Sequence, residues 1–253
     1  MKRIAPFIAM ALGLYVIFLL ANFPADRAYD LVKDKLANVQ VYGVSGTVWS
    51  AKSEAVVVDQ QAFRDVALSL RPWMLVLGRI EADVSFDNNA SWATGHVGKS
   101  LFSGDVLLNN ISGQWAAAEL QAFLPSMPAN LGGSLRFDFE EVVYEPETRL
   151  LKGVVGHANW LDASVTLLRE ATIGDYQVDF TTTDAGVNAV FSDVNDGPLM
   201  VQGSASLSPD KKYQVDATLK VRDQRRQDLT QSMRFLGKQD GQGNYVFNKS
   251  GSL

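Results

Sequence analysis

The sequence contains no cysteine and only two histidines among its 253 residues. Without cysteine it can form neither a disulfide framework nor a thiolate site. His96 and His157 are far apart in the chain and have no Asp or Glu at ligand spacing, which disfavours a metalloenzyme or a histidine-dependent hydrolase. Basic residues are also in the minority, 23 against 28 acidic ones, and this argues against a nucleic-acid-binding protein.

Motifs that carry chemistry are equally absent from the sequence. It has no Gly-x-x-x-x-Gly-Lys-Ser/Thr loop, no Gly-x-Gly-x-x-Gly after a strand and no Gly-x-Ser-x-Gly elbow. Glu140 and Glu141 are adjacent on an alternating segment, so they point to opposite faces and do not form a carboxylate pair around one substrate. We therefore predict no catalytic, metal or cofactor site and no enzymatic activity.

One long apolar run stands at the N-terminus. Lys2 and Arg3 precede an uncharged stretch of 20 residues from Ile4 to Phe23. As a helix this stretch would be about 30 Å long, the thickness of a hydrocarbon core. The alternative is a cleaved signal peptide, but the run is longer than usual and the bulky Phe23 lies where a small residue is expected. We favour an uncleaved transmembrane anchor over residues 1–24.

The charges around this run predict its orientation. Because both basic residues precede it, the positive-inside rule keeps the N-terminus in the cytoplasm and exports residues 25–253. In a Gram-negative bacterium this gives a single-pass inner-membrane protein with a periplasmic C-terminal part. Residues 25–40 read as a juxtamembrane helix or linker, and residues 41–253 as a periplasmic β-rich domain.

From Val41 onward apolar residues recur at every second position, as in strands with one buried face. This pattern predicts a mainly β, mostly antiparallel sheet that is curled or sandwiched, because few helices are available to cover it. Two short helices are predicted, at 114–124 and 228–236. A weak internal echo suggests two half-repeats, about 41–140 and 150–253. The clearest alternating segments are Ile80–Phe86, Leu131–Phe139, Gly174–Phe180, Leu199–Leu207 and Tyr213–Val221.

The aromatic residues leave two readings open. Five tryptophans, at 49, 73, 92, 115 and 160, are spread along the β region. They either fill the core or line a groove that accepts an acyl chain or a partner strand. The apolar run Pro72–Leu77 is likewise either a buried corner or an exposed docking patch.

After the apolar N-terminal run, short motifs follow one another along the chain: Val44–Ser50, Leu68–Trp73, Leu77–Ile80, Leu124–Pro125, Leu131–Leu135, Gly153–Trp160, Gly197–Gly203 and Leu236–Gly243. This ordered series resembles the N protein of the bacterial type II secretion system. The resemblance covers nearly the whole chain, and the order and spacing of the motifs carry it. It implies a bitopic inner-membrane protein with a periplasmic β domain, an accessory part of the machine that exports folded proteins across the outer membrane.

Two functions follow as hypotheses. The first is a non-enzymatic secretion component that contacts other secretion subunits in the inner membrane and the outer-membrane secretin. The second is a lipid- or hydrophobe-binding module whose curled sheet forms a groove. Neither involves nucleic acid. The predicted structural or docking residues are Gly46, Thr47, Val48, Trp49, Pro72, Trp73, Gly78 and Trp160.

Overall fold

The structure is a computed structural model that describes residues 5–36, 38–58, 61–119, 130–166, 170–233 and 239–252. The chain divides into two compact units, Met1–Asn88 and Asn89–Leu253. The described residues form fourteen strands, β1 to β14, and all of their pairings described below are antiparallel. The predicted class, mainly β and mostly antiparallel, is confirmed.

Two helices open the first unit. Helix α1 (Ala5–Ala21) has 17 residues and no charged side chain. It ends before Pro24, whose ring disfavours helical backbone at the preceding residue. Helix α2 (Ala25–Val32) follows and continues into one 3₁₀ turn, Lys33–Lys35. Within the described ranges, no helix combines the length and the hydropathy that a membrane crossing requires.

The first unit carries the first five strands. Strand β3 is central, because it pairs with β1 and β2 on one side and with β4 on the other. Strand β4 pairs in turn with β5, and the apolar 3₁₀ helix Pro72–Leu77 connects these two strands. The strand bounds are β1 Val39–Tyr42, β2 Ser45–Thr47, β3 Ser50–Val58, β4 Gln61–Leu70 and β5 Arg79–Asp87.

The second unit is a meander in which each strand pairs with the next along the chain. Such local pairing follows from the turn residues between the strands, for example Asp184-Ala185 between β10 and β11. The strands are β6 Trp92–Ser100, β7 Val106–Ala116, β8 Asn130–Glu145, β9 Leu150–Thr166, β10 Glu170–Thr183, β11 Gly186–Asp193, β12 Leu199–Leu207, β13 Lys212–Val221 and β14 Tyr245–Ser252.

Opposed residues define two different faces in the second unit. Directly opposed residues in antiparallel strands share a face. One row, which we call the apolar row, alternates large and small apolar residues and, apart from the buried Gly113, is half-buried. It comprises Ala93, Gly113, Phe137, Ala158, Val178, Phe191, Gly203, Ala217 and Phe247.

The neighbouring row on the other face is largely polar. It comprises Thr94, Ser112, Asp138, His157, Asp179, Val190, Ser204, Asp216 and Asn248. The alternation in sequence thus becomes a sheet with one polar and one apolar side.

Helix α3 (Gln227–Met233) covers one end of the apolar side. Its Leu229 is 2% exposed and belongs to a buried cluster with residues from β9, β10, β12 and β13. This helix matches the prediction for 228–236 as far as residue 233; the rest lies outside the described residues. The cluster comprises Ala163, Ala171, Ile173, Tyr176, Leu199, Val221 and Leu229.

The helix predicted at 114–124 is wrong in its described part. Gln114 to Ala116 end strand β7, and 117–119 form a 3₁₀ turn. Trp115 lies opposite Leu135 in the ladder between β7 and β8. Pairing with β8 satisfies the backbone of this segment and outweighs its helical propensity. Residues 120–124 lie outside the described part of the chain.

Candidate functional site

The predicted motif at residues 46–49 forms a tight hairpin. Strand β2 ends at Thr47, Val48 and Trp49 make the turn, and Thr47 pairs with Ser50 across it. Gly46 has φ +90°, and a Cβ at this position would collide with the backbone oxygen of Ser50. Only glycine adopts this conformation easily, so the residue type at 46 is set by the hairpin.

This hairpin is bonded to the C-terminal end of α1, and we call the contact region the junction (Leu20–Pro24 with Gly46–Trp49). The Val48 amide donates a hydrogen bond to the Phe23 carbonyl at 2.9 Å. The indole Nε1 of Trp49 donates to the Leu20 carbonyl at 2.8 Å. The last carbonyls of a helix have no partner within it, so the Trp49 side chain acts as a cap for α1.

An apolar pocket lies beside the junction. Ile17, Leu20 and Ala21 of α1 line one side, and Trp49 and Pro72 line the other. The Trp49 carbonyl accepts a hydrogen bond from the Leu70 amide at 2.8 Å, which brings the end of β4 to the same place. The chain therefore returns to α1 just before Pro72.

The segment that follows, Pro72–Leu77, will be called the apolar turn. Pro72 stands at its start, where a missing amide hydrogen is tolerated, and Gly78 ends it in the left-handed conformation at φ 70°. Three of its side chains are strongly exposed: Trp73 at 59%, Val76 at 88% and Leu77 at 60%. Of the two readings left open by the sequence, the structure favours an exposed patch over a buried corner.

An ion pair fixes the start of the apolar turn. The Arg71 guanidinium donates to the Asp83 carboxylate at 2.7 Å, and the Arg71 amide donates to the Glu81 carbonyl at 2.9 Å. Both partners lie on β5, the strand that follows the turn. The turn is thus held at its base while its apolar side chains point into solvent.

Trp160 belongs to the second unit and has a different setting. Its indole Nε1 donates to the Gly132 carbonyl at 2.9 Å, and its ring centre lies 6.2 Å from that of Tyr176. The Tyr176 hydroxyl lies 2.9 Å from the carbonyl oxygens of both Ile173 and Leu199. Burial, with a smaller contribution from Asp193, raises the pKa of Tyr176, so the hydroxyl stays protonated as a donor.

The eight predicted residues are therefore distributed over two settings. Seven of them lie in the first unit, at the junction or in the apolar turn, and Trp160 packs against the core of the second unit. Sequence reasoning missed the α1 half of the junction, Leu20 and Phe23, because their contribution is a backbone carbonyl. It named Val76 only as part of the run Pro72–Leu77, although Val76 is the most exposed residue of the apolar turn.

The junction has the chemistry of a structural contact. Its bonds run from amide and indole donors to backbone carbonyls, and its pocket is lined by apolar side chains. Among the described residues there is no group of three or more His, Asp or Glu side chains arranged to hold a metal ion. Fold and junction together define a mainly β protein in which a hairpin of the first unit is hydrogen-bonded to an apolar N-terminal helix.

Comparison with known proteins identifies the family. The family model for protein N of the type II secretion system (T2SS) matches residues 37–248. The chain belongs to this family. It is 25% identical over 257 residues to type II secretion system protein N of Aeromonas hydrophila, with both chains covered completely. It is 27% identical over 227 residues to the protein N of Vibrio cholerae serotype O1, covering 85% of each chain. No solved structure matches it.

Membership of this family confirms the resemblance read from the motif order. It implies a role in type II secretion and contacts with other secretion subunits. It also confirms the prediction of a non-enzymatic protein, since protein N is a non-enzymatic component of that system.

Proposed function

We propose that this protein is a single-pass inner-membrane component of the type II secretion system. Its β body acts on the periplasmic side and assists export of folded proteins across the outer membrane by binding other secretion subunits. The observation that carries the proposal is the junction, which fastens the β body to a helix that is apolar on all sides.

Helix α1 has the surface of a lipid-embedded helix. Its described large side chains are all exposed, by between 47% and 68%, on every side of the helix. The described helix of 17 residues is about 26 Å long and by itself falls short of a membrane crossing. The uncharged sequence runs from Ile4 to Phe23, beyond the helix at both ends. Exposure of so large an apolar surface to water is unfavourable, and lipid is the solvent that suits it.

The orientation follows from Lys2 and Arg3, which keep the N-terminus cytoplasmic. Alkaline phosphatase fused after Leu253 is expected to be active, and a green fluorescent protein fused there to be dark after export through the general secretion pathway. A fluorescent fusion with inactive phosphatase would contradict the orientation. Mature protein starting near residue 25 would contradict the anchor.

A free sheet edge suggests how the β body binds a partner. Strand β14 is last in the strand order and pairs with β13 alone among the described strands. Of its eight residues, Tyr245 alone is buried. Such an edge presents unpaired backbone donors and acceptors, to which a strand of another protein can add.

A photocrosslinking amino acid tests this edge. At Val246 of β14, which is 54% exposed, we expect it to capture a named secretion subunit in cells. The matched control is Val190, 58% exposed but on β11, which has a strand on either side. Capture must disappear in a strain without the other secretion genes. Equal capture from both positions, or none of a secretion subunit from Val246, would contradict docking at this edge.

The apolar row favours a second candidate function, the binding of a lipid or another hydrophobe. Phe137, Phe191 and Phe247 alternate along it with residues no larger than valine, and the rings of Phe137 and Phe191 lie over Gly113 and Gly203. The three rings are only half-buried, so their outer faces are left for a hydrophobe. An acyl chain laid across the strands would cover these rings.

Native mass spectrometry of the detergent-extracted protein tests this second candidate. A bound lipid should be present in the wild type and lost in Phe191→Asp, which places a charge on the apolar row. The matched control Val190→Asp changes the adjacent residue, which faces the other side of the sheet. The lipid should remain in that variant. Absence of bound lipid from the wild-type protein would contradict this second function.

A further inference from the structure

We propose that the apolar turn Pro72–Leu77 inserts into the interface of the leaflet from which α1 emerges, as a second membrane contact beside the anchor. This inference rests on the proposed membrane anchoring of α1. The occupant of the exposed patch is the phospholipid surface itself.

The apolar turn begins beside the last turns of α1. Pro72 and Trp49 line one pocket with Ile17, Leu20 and Ala21, which belong to the last turns of α1. Five residues of helix rise about 7 Å, so this pocket lies within that distance of the helix end. If α1 spans the bilayer, its last turns lie at the boundary between acyl chains and headgroups. The apolar turn starts at that depth.

The chemistry of the turn is the second argument. All six of its side chains are uncharged and apolar or aromatic: proline, tryptophan, methionine, leucine, valine and leucine. Trp73, Val76 and Leu77 are each more than half exposed. Tryptophan is enriched where a membrane meets water, because its ring is apolar and its indole N–H is polar. This apolar segment begins at Pro72, in the pocket that α1 lines, so lipid around α1 reaches the turn as well.

A cationic side chain flanks the apolar turn. Arg79 is the first residue of β5, directly after Gly78, and its side chain is exposed. Its guanidinium can donate two parallel hydrogen bonds to a lipid phosphate. The acidic Asp83 is already paired with Arg71 at the base of the turn. The turn therefore presents apolar side chains with a cation at their rim, the pattern of an interfacial membrane contact.

Because the chain has no cysteine, single labelling sites are simple to introduce into the full-length protein. We would attach the fluorophore NBD to Val76→Cys, with one chain per nanodisc of phosphatidylethanolamine and phosphatidylglycerol. Doxyl-labelled lipid then quenches only a dye at membrane depth. Leu20→Cys in the last turn of α1 reports the anchor itself, and Val190→Cys, a valine of the second unit that is 58% exposed, is the aqueous control.

The expected result is an intensity loss of about twofold or more at Val76, as for a group 5–10 Å below the headgroups. The Leu20 label should also be quenched and the Val190 label should not. Quenching at Leu20 without quenching at Val76 would overturn this inference and leave the anchor intact. No quenching at Leu20 would overturn the anchor, and with it the premise of this inference.

A second measurement separates lipid from protein as the occupant. A photocrosslinker at Val76 in cells should yield a phospholipid adduct by mass spectrometry. Capture of a secretion subunit, or of a second copy of this chain, would show that a protein covers the turn and would overturn the inference. Equal quenching at Val190 and Val76 in the nanodisc would also overturn it, because the dye alone would then explain the signal.

Discussion

The cap that Trp49 places on α1 gives the most direct test of the junction. The change Trp49→Phe keeps an aromatic ring in the pocket but removes the Nε1 donor that lies 2.8 Å from the Leu20 carbonyl. A hydrogen bond of this kind contributes about 1 kcal/mol net, with a range of about 0.5–1.5 kcal/mol. The junction should therefore open more often, by about fivefold, since a tenfold change corresponds to about 1.4 kcal/mol.

Hydrogen exchange measures this opening directly. The Val48 amide is bonded to the Phe23 carbonyl within the same contact, so it exchanges when the junction opens. In nanodiscs, with residue-level resolution, the exchange rate of this amide should rise about fivefold in Trp49→Phe, by the same hydrogen-bond estimate. Amides of β12 and β13, which lie in the second unit, should keep their rates.

The matched control is Trp92→Phe, which changes a partly exposed indole of the second unit. It should leave the Val48 exchange rate unchanged. The reasoning is refuted if Trp49→Phe changes the Val48 rate by less than about twofold, since that would put the bond below the lower end of its expected contribution. It is also refuted if the β12 and β13 amides accelerate equally, because the effect would then be global unfolding.

Three further changes test the second unit. Leu229→Ala empties a buried site under α3 and should lower the free energy of unfolding by about 2–5 kcal/mol in urea titrations. Tyr176→Phe leaves two carbonyls without their donor and should cost about 1–2 kcal/mol in the same assay. Lys152 holds the pKa of the Asp105 and Glu145 carboxyls below their usual values of 3.8 and 4.5. Its replacement by Gln should therefore cost a small amount of stability near neutral pH, and less as pH falls below about 4.

The sign of the pH effect follows from proton linkage. A carboxyl whose pKa is lowered in the folded state stabilises the fold above its unfolded pKa, and this contribution disappears as pH falls through the folded pKa. Thermal melts at several pH values should show wild type and Lys152→Gln converging in acid. Divergence in acid would contradict the assignment.

Controls for the two core changes come from exposed positions. Val190→Ala and Tyr42→Phe alter side chains that are each more than half exposed, so each should change stability by less than about 0.5 kcal/mol. If Leu229→Ala behaves like Val190→Ala, then α3 does not cover a packed core. If Tyr176→Phe behaves like Tyr42→Phe, the buried hydroxyl contributes nothing.

Most strands could be predicted because apolar and polar residues alternate along them. The alternation of Leu199–Leu207 gives β12 with the observed bounds, and the turn residues after Thr183 and Leu207 correctly mark the ends of β10 and β12. The segment at 114–116 could not be predicted in the same way. Its local composition suits a helix, and only its partner Leu135, twenty residues later, makes it a strand.

The candidate site was predictable only in part. Gly46, Pro72 and Gly78 are of residue types that favour turns, whereas Trp49 has no such preference and its place in the hairpin could not be predicted. No local sequence pattern predicts that these residues lie together beside α1, because the contact depends on the backbone carbonyls of Leu20 and Phe23. Every residue has such a carbonyl, and whether it is free to accept depends on where the helix ends.

The two candidate functions use different surfaces of the second unit, and this separation makes them distinguishable in one secretion assay. Strand addition at β14 uses backbone groups at an edge, so a charge on the apolar row at Phe191 should leave it intact. Lipid binding requires the apolar row and does not involve the β14 edge. If Phe191→Asp stops secretion while Val190→Asp does not, the apolar row has a role in export beyond docking. If neither variant impairs secretion, export needs neither face of the sheet at this position of β11, and docking at the β14 edge stays as the candidate.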